Sequence, residues 1–250
     1  MTGSRKASKM THFRLADDFV ALFPEALIGL VFVTGIDNTA ASAKSTEILT
    51  RQITETANRL PDEDMAMHPA IAPWRAAYAR FGVRPSKYRS SIENLLRSAK
   101  AGRLRSVNPL VDLYNSVSLA YQLPVGGEDL DTVQGDIVLT RADGTESFVP
   151  LGGSGDEPPP PGAVIYRDDA GVICSCWNWR EAERTKLTAG TIRAVLVIEA
   201  IPPFTRAELD LALEALGNRV TAHLGGAYRI ATLSQEETTV NLTEPNLADA

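Results

Sequence analysis

The chain has 250 residues, 44% of them hydrophobic, and a formal net charge of -6. That length and apolar content suffice to bury a substantial core, which excludes a disordered or fibrous chain. The acidic balance excludes a protein that coats nucleic acid by bulk charge, while leaving room for a local basic patch.

Residues 1–12 are polar and basic with no apolar signal-like run, and the apolar stretch from Val20 to Ile36 is broken at Pro24-Glu25, so neither secretion nor a membrane span is expected. Residues 1–12 and 234–250 read as flexible tails around a single domain over 13–233. Leu27 to Thr34 predicts a buried strand closed by turn residues, followed by helices over about Thr46 to Arg59 and about Ala70 to Phe81. Ser90-x-x-Glu93 is a capping-box pattern that opens a helix with Ile92, Leu95, Leu96 and Ala99 on one face and Gly102 as its stop. Asn108 and Pro109 make an N-cap and first-turn pair for a helix to about Tyr121, ended by Pro124.

The second half reads as strands. GDIVLTRADGTESFV predicts a hairpin turning at Asp143-Gly144, and AVIYRDDAGVICSCW a second turning at Asp169-Ala170-Gly171, with GGSGDEPPPPG between them as a surface loop. TIRAVLVIEAI is apolar on both faces and predicts a central strand. Thr205-x-x-Glu208 caps a last helix carrying Leu209, Leu213, Leu216 and Val220, before a short strand AYRIATL. This order is mixed α+β, without βαβα alternation.

Among chemical motifs, H-E-x-x-H, the P-loop and G-x-G-x-x-G are absent, and GGSGD lacks the second glycine of a nucleophile elbow. His12, His68 and His223 are scattered, so neither a metal cluster nor a histidine triad is expected, and no cofactor. Cys174 and Cys176 have a spacing that suits neither a disulfide nor C-x-x-C; they read as small buried hydrophobes in a reducing cytoplasm. The chain carries one basic cluster, Arg84, Lys87, Arg89, Arg97, Lys100, Arg103 and Arg105, which either holds phosphates or is a solvated helix face pairing with Glu93. Asp112 and Asn115 share one face of their helix as structural hydrogen-bonders or as part of a site. In CSCWNWREAERT, an extended backbone puts Cys174, Cys176, Asn178 and Arg180 on one face and Ser175, Trp177 and Trp179 on the other. The tryptophans either stack on a planar base or fill the core, which is the expected role of at least one.

FGVRPSKYRSSIENLLRSAKAGRLRSVNPLVDLYNSVSLAYQLPVGG, the D-x-x-x-G of Asp131 to Gly135, and CSCWNWREAERTKLTAGT resemble the B3/B4 domain, the tRNA-binding and editing domain of the phenylalanyl-tRNA synthetase β subunit, in a freestanding form. The resemblance covers roughly residues 75 to 200. It implies a B3/B4-like α+β domain in which antiparallel hairpins and a central apolar strand are packed by helices. It further implies trans-editing hydrolysis of mischarged aminoacyl-tRNA, the alternative being a module that holds RNA or an amino-acid-like ligand without turnover. Cys176-Trp177-Asn178-Trp179-Arg180 stands where the synthetase has G-x-M-G-G, so its tyrosine specificity is not carried over. On this reading Asn115, Asn178 and Arg180 are catalytic, and Asp112, Trp177, Trp179 and Thr185 shape the substrate pocket. Arg84, Lys87, Arg97 and Lys100 follow the tRNA acceptor end. An aminoacyl ester is already activated, so an oriented water and a held oxyanion suffice without a strong nucleophile.

Overall fold

The computed structural model describes residues 12–61 and 64–242; the expected tails at 1–11 and 243–250 lie outside the described residues. In chain order the main elements are β1 (His12–Leu15), α1 (Asp17–Leu22), β2 (Leu27–Thr34), α2 (Ser42–Arg59), α3 (Ala72–Arg80), α4 (Ser91–Lys100), α5 (Pro109–Tyr121), β3 (Val125–Asp129), β4 (Ile137–Arg141), β5 (Val164–Asp168), β6 (Gly171–Ser175), β7 (Arg180–Glu181), β8 (Arg193–Ala200), α6 (Arg206–Leu224), β9 (Ala227–Leu233) and β10 (Thr239–Asn241). The class is α+β, as expected.

Two sheets organise the chain. Strands β3, β8, β2 and β9 form an antiparallel sheet in which the apolar β8 is interior, and β10, β1, β4, β5, β6 and β7 form the second, antiparallel except for the parallel pair β1 and β4. Alternation assigns the faces of the first sheet. Val31, Val33, Leu196 and Ile198 pack on α5 and α6, whereas Ile28, Leu30, Phe32, Val195 and Val197 join a core shared with α1, α3, α4 and strands of the second sheet. Glu199 follows the parity of Val195 and Val197, so a carboxylate projects into the space between the sheets.

The helix starts follow the caps read in the sequence. Asn108 Oδ1 accepts from Val111 N–H, with Pro109 in the first turn, and Thr205 and Glu208 form a complete reciprocal capping box. Thr205→Ala is expected to remove about 1 kcal/mol, seen as a lower guanidinium midpoint at unchanged slope; an unmoved midpoint would show that the cap contributes nothing. At α4 only half of the expected box forms. Ser90 Oγ accepts from Glu93 N–H, but the Glu93 carboxylate turns to Arg75, Arg89 and Arg97, whose charge satisfies a fully buried acid better than one backbone amide.

Three expectations are corrected. The arm after Asp143-Gly144 is not a strand: Glu146 takes the N–H groups of Asp143 and Gly144 into a tight turn, and β4 pairs with β5 instead. The extended run from Cys174 to Arg180 breaks after Ser175, because Cys176 and Trp177 adopt φ of 49° and 63°. Finally, β10 lies in the segment expected as a C-terminal tail, and pairs with β1 from His12 onward.

Candidate functional site

The break after β6 builds the site. With Cys176 and Trp177 in the left-handed region, the chain reverses, Trp177 drops into a ring of aromatics and Asn178 is presented between the sheets. The orientation of Asn178 is set by its partners. Tyr78 Oη and Ser91 N–H donate to Oδ1 at 3.0 and 3.3 Å, so the amide nitrogen must face Glu199 Oε2, to which it donates at 2.5 Å. Tyr166 Oη donates to the other oxygen of Glu199 at 2.6 Å.

This network borders two adjoining cavities. The inner one, about 30 Å³, lies between β3, β8, β5, β6 and the 176–181 turn, and carries Glu128, Glu181, Glu199, Cys174 and Trp177 on its wall. The outer one, about 130 Å³, is lined by Tyr114, Asn115, Trp179 and Arg180 among others. Ser91, Val125, Asn178 and Glu181 belong to both, so they form the passage between them. Gly126 leaves room there for the Glu181 carboxyl: a Cβ at this position would lie 2.5 Å from Glu181 Oε1, and the carboxyl would have to move.

Three carboxyl groups in one buried space cannot all ionise. Burial pushes Glu199 up to about 8, against the hydrogen bonds from Tyr166 and Asn178 that favour its charged form. Burial, and next the neighbouring Glu181, raise Glu128 well above the carboxylate range, and burial raises Glu181 as well. Cys174 is raised by burial and by the glutamates, and burial lifts Cys176 to about 11, so both remain thiols and neither is a ready nucleophile. Among the described residues, no group of three or more His, Cys, Asp and Glu side chains is arranged to hold a metal ion.

The structure thus brings Asn115, Asn178, Trp179 and Arg180 to the two cavities, with Trp177 on the inner wall. Asp112 lies outside both. Its carboxylate accepts from Val107 N–H, Ser106 Oγ and Thr46 Oγ1, which ties the start of α5 to α2. Thr185 is fully buried and lines neither cavity; its hydroxyl faces the Glu128 carboxyl and favours its charged form. Of the basic residues, Arg84 and Lys87 are exposed, Arg97 is bound to Glu93 at 2.9 Å, and Lys100 donates to Pro61 O. Lys87 lies over the Tyr88 ring, Tyr88 meets Trp179 edge-on, and the Arg180 guanidinium lies 5.9 Å from the Trp179 ring. Trp179 and Arg180 line the outer cavity, and Tyr88 and Lys87 continue this row of rings and cations away from it.

Sequence reasoning missed Glu128, Glu181, Glu199 and Tyr166. The one local signal was Glu199, an acid inside the otherwise apolar run of β8.

A family model described as the B3/4 domain matches residues 73–215. Among solved structures, the chain is similar to an N-terminal fragment of the phenylalanyl-tRNA synthetase beta-subunit from Pyrococcus horikoshii, at 15% identity and a TM-score of 0.44, over 90% of this chain and 51% of that one. The chain therefore spans about half the length of that fragment. No curated protein matches.

Proposed function

The chain belongs to the B3/4 domain family, and from this premise we propose that it is a cytoplasmic trans-editing factor that binds the acceptor end of tRNA and hydrolyses the ester of a wrongly attached amino acid. The observation that carries the reading is the paired cavity with Asn178 fixed in its passage. The outer cavity suits an aminoacyl group, and Trp179 and Arg180 on its wall, continued by Tyr88 and Lys87 beyond it, suit a terminal nucleotide: rings for the base, cations for the phosphate. Arg84 and Lys87 extend this charge along the surface, whereas Arg97 is engaged by Glu93 and acts on a phosphate only by sharing that partner.

Hydrolysis of an activated ester needs an oriented water and a donor for the developing oxyanion. Asn115 and Arg180 supply donors on the outer wall, and Asn178 divides the ester from the acidic chamber. With both thiols protonated, no covalent enzyme intermediate is part of this scheme.

The test is deacylation of a panel of correctly and wrongly charged tRNAs. The wild type is expected to release one class of mischarged amino acid, and the Asn178→Ala, Arg180→Ala double variant to lose about a hundredfold in rate. Arg180 is exposed, so Arg180→Ala alone separates chemistry from folding. Tight tRNA binding without release from any charged tRNA would instead establish the second reading, a non-catalytic binding module, which the aromatic and basic rim alone would serve.

A further inference from the structure

Where α3 meets the start of α4, three arginines converge on one acid. Glu93 has no exposed surface, and its Oε1 lies 3.0 Å from Arg75 Nη1, 2.9 Å from Arg97 Nε and 3.6 Å from Arg89 Nε. A buried carboxylate needs one well-placed guanidinium, and Arg75, which reaches both oxygens, already supplies it. Among the described residues no other carboxylate pairs with these arginines, so the cluster carries two positive charges beyond what its acid balances.

The way the arginines are held is a second observation. Arg89 and Arg97 turn their Nε atoms to Glu93, and among the described residues their terminal nitrogens donate to no acceptor. Both side chains are open to solvent, at 44% and 32% exposure. Like charges gathered at one point repel, and a lock between two helices would not gather three. Glu93 instead fixes the guanidinium groups with donors to spare, which is a preorganised set for an oxyanion of about two charges.

The position of the cluster names the anion. Ser91 and Leu95 of α4 line the outer cavity, whereas Glu93, two residues from each, lies on the opposite side of the helix, about 10 Å away. The segment before α4 joins the two sides: the Tyr88 ring meets Trp179 of the cavity wall, and the next residue, Arg89, reaches Glu93. A nucleic acid that follows the row of rings and cations therefore runs into the cluster.

We infer that Arg75, Arg89 and Arg97 grip the 5′-terminal phosphate of the RNA whose 3′ end enters the outer cavity. The identification of the ligand as RNA rests on the tRNA-binding reading; the preference for a phosphate dianion rests on the cluster. A terminal phosphate carries about −1.5 to −2 charges at neutral pH and three free oxygens, whereas a phosphodiester inside the chain carries one charge and two free oxygens. Only the terminal group matches both the surplus charge and the number of guanidinium forks. In a paired stem with a short 3′ overhang the 5′ end lies beside the base of the overhang, so the two ends can be held on opposite sides of α4.

The experiment is binding of the full chain, at low salt and by fluorescence anisotropy, to two RNA hairpins of one sequence with a short 3′ overhang, one ending in a 5′-phosphate and the other in a 5′-hydroxyl. The phosphorylated hairpin is expected to bind about tenfold tighter. Arg89→Gln should bring it down to the level of the 5′-hydroxyl hairpin, whose own affinity stays unchanged. The melting temperature without RNA should not fall, because Arg75 and Arg97 still neutralise Glu93 and one repulsion is gone. Equal affinity of the wild type for both hairpins overturns the inference; if Arg89→Gln then weakens both, the cluster touches an internal phosphodiester instead. A preference that survives Arg89→Gln while the melting temperature drops overturns it too, and assigns the arginines to holding α3 against α4. Neither hairpin carries an amino acid, so equal affinity leaves deacylation standing, and a chain that prefers the 5′-phosphate but deacylates nothing keeps this site and loses the hydrolase reading. No binding of either hairpin overturns this inference and the tRNA-binding reading together.

Discussion

Between about pH 5 and pH 8 the fold is expected to lose roughly 1.4 kcal/mol of stability per pH unit through Glu199 alone. The folded-state pKa of Glu199 is about 8, against an ordinary value of 4.5. The folded chain therefore keeps a proton over this interval that the unfolded chain has released, so stability is fully present below about 4.5 and is lost as pH rises through 8, by about 5 kcal/mol in total. Glu128 and Glu181, both raised, act in the same direction. The lowered acids Asp37, Asp136, Asp143, Glu183 and Glu208 lose their contribution only at more acid pH, outside this window. His68 opposes the trend near pH 6.5, because burial lowers its pKa and its contribution rises with pH there. Above about pH 7 the glutamates decide the slope. Urea unfolding at a series of pH values measures it directly, and Glu199→Gln should flatten the curve: the Gln carbonyl can still accept from Asn178, and its amide can donate to Tyr166 Oη. A wild-type profile that is level from neutral to alkaline pH would show that Glu199 titrates as an ordinary carboxylate.

The contrast between Glu199 and Asn178 shows how far one sequence reaches. Periodicity and caps are local, and they were legible: β2 runs from Leu27 to Thr34 as expected, α5 starts at Pro109 behind its Asn108 cap, and α6 carries the Thr205 box. What was not legible depended on pairing across the chain. Glu128, Glu181 and Glu199 sit on three strands, β3, β7 and β8, and β7 joins through β6 to a different sheet from the other two, so no spacing rule brings these carboxyl groups together. The return arm of the first expected hairpin failed for the same reason, since β4 found its partner in β5 some twenty residues later. The reading of 174–180 failed on a backbone ground. Alternation presumes extended φ, and two successive non-glycine residues at positive φ leave no trace in a hydrophobic pattern. Yet that failure is what makes the site: a straight strand would have set Asn178 and Arg180 on one face, whereas the reversal places Asn178 in the passage and Arg180 on the outer wall.

The two tryptophans of that reversal should separate cleanly on substitution. Trp177→Ala is expected to cost about 3–5 kcal/mol, a fall of roughly 6–20 °C in melting temperature for a domain of this size. The indole has no exposed surface and meets four rings, with centroids 4.7 Å from Phe23, 4.9 Å from Trp74, 5.1 Å from Phe19 and 6.4 Å from Phe81, so no neighbour on these elements can move in without giving up its own packing. Glycine at this position is expected to be no worse than alanine, because φ is 63° and glycine removes the backbone strain that alanine retains. That inversion of the usual order tests the geometry apart from the packing. Trp179 is half-buried at the rim against Tyr88, so Trp179→Ala should cost under about 1.5 kcal/mol and show itself in ligand affinity instead. A loss below about 1 kcal/mol for Trp177→Ala would mean that the aromatic ring cluster does not anchor the turn, and that Asn178 is held by Tyr78, Ser91 and Glu199 alone. A large loss with the glycine variant at or above alanine would mean that one tryptophan holds the reversal in place, so that its neighbour Asn178 and the next tryptophan can face the ligand.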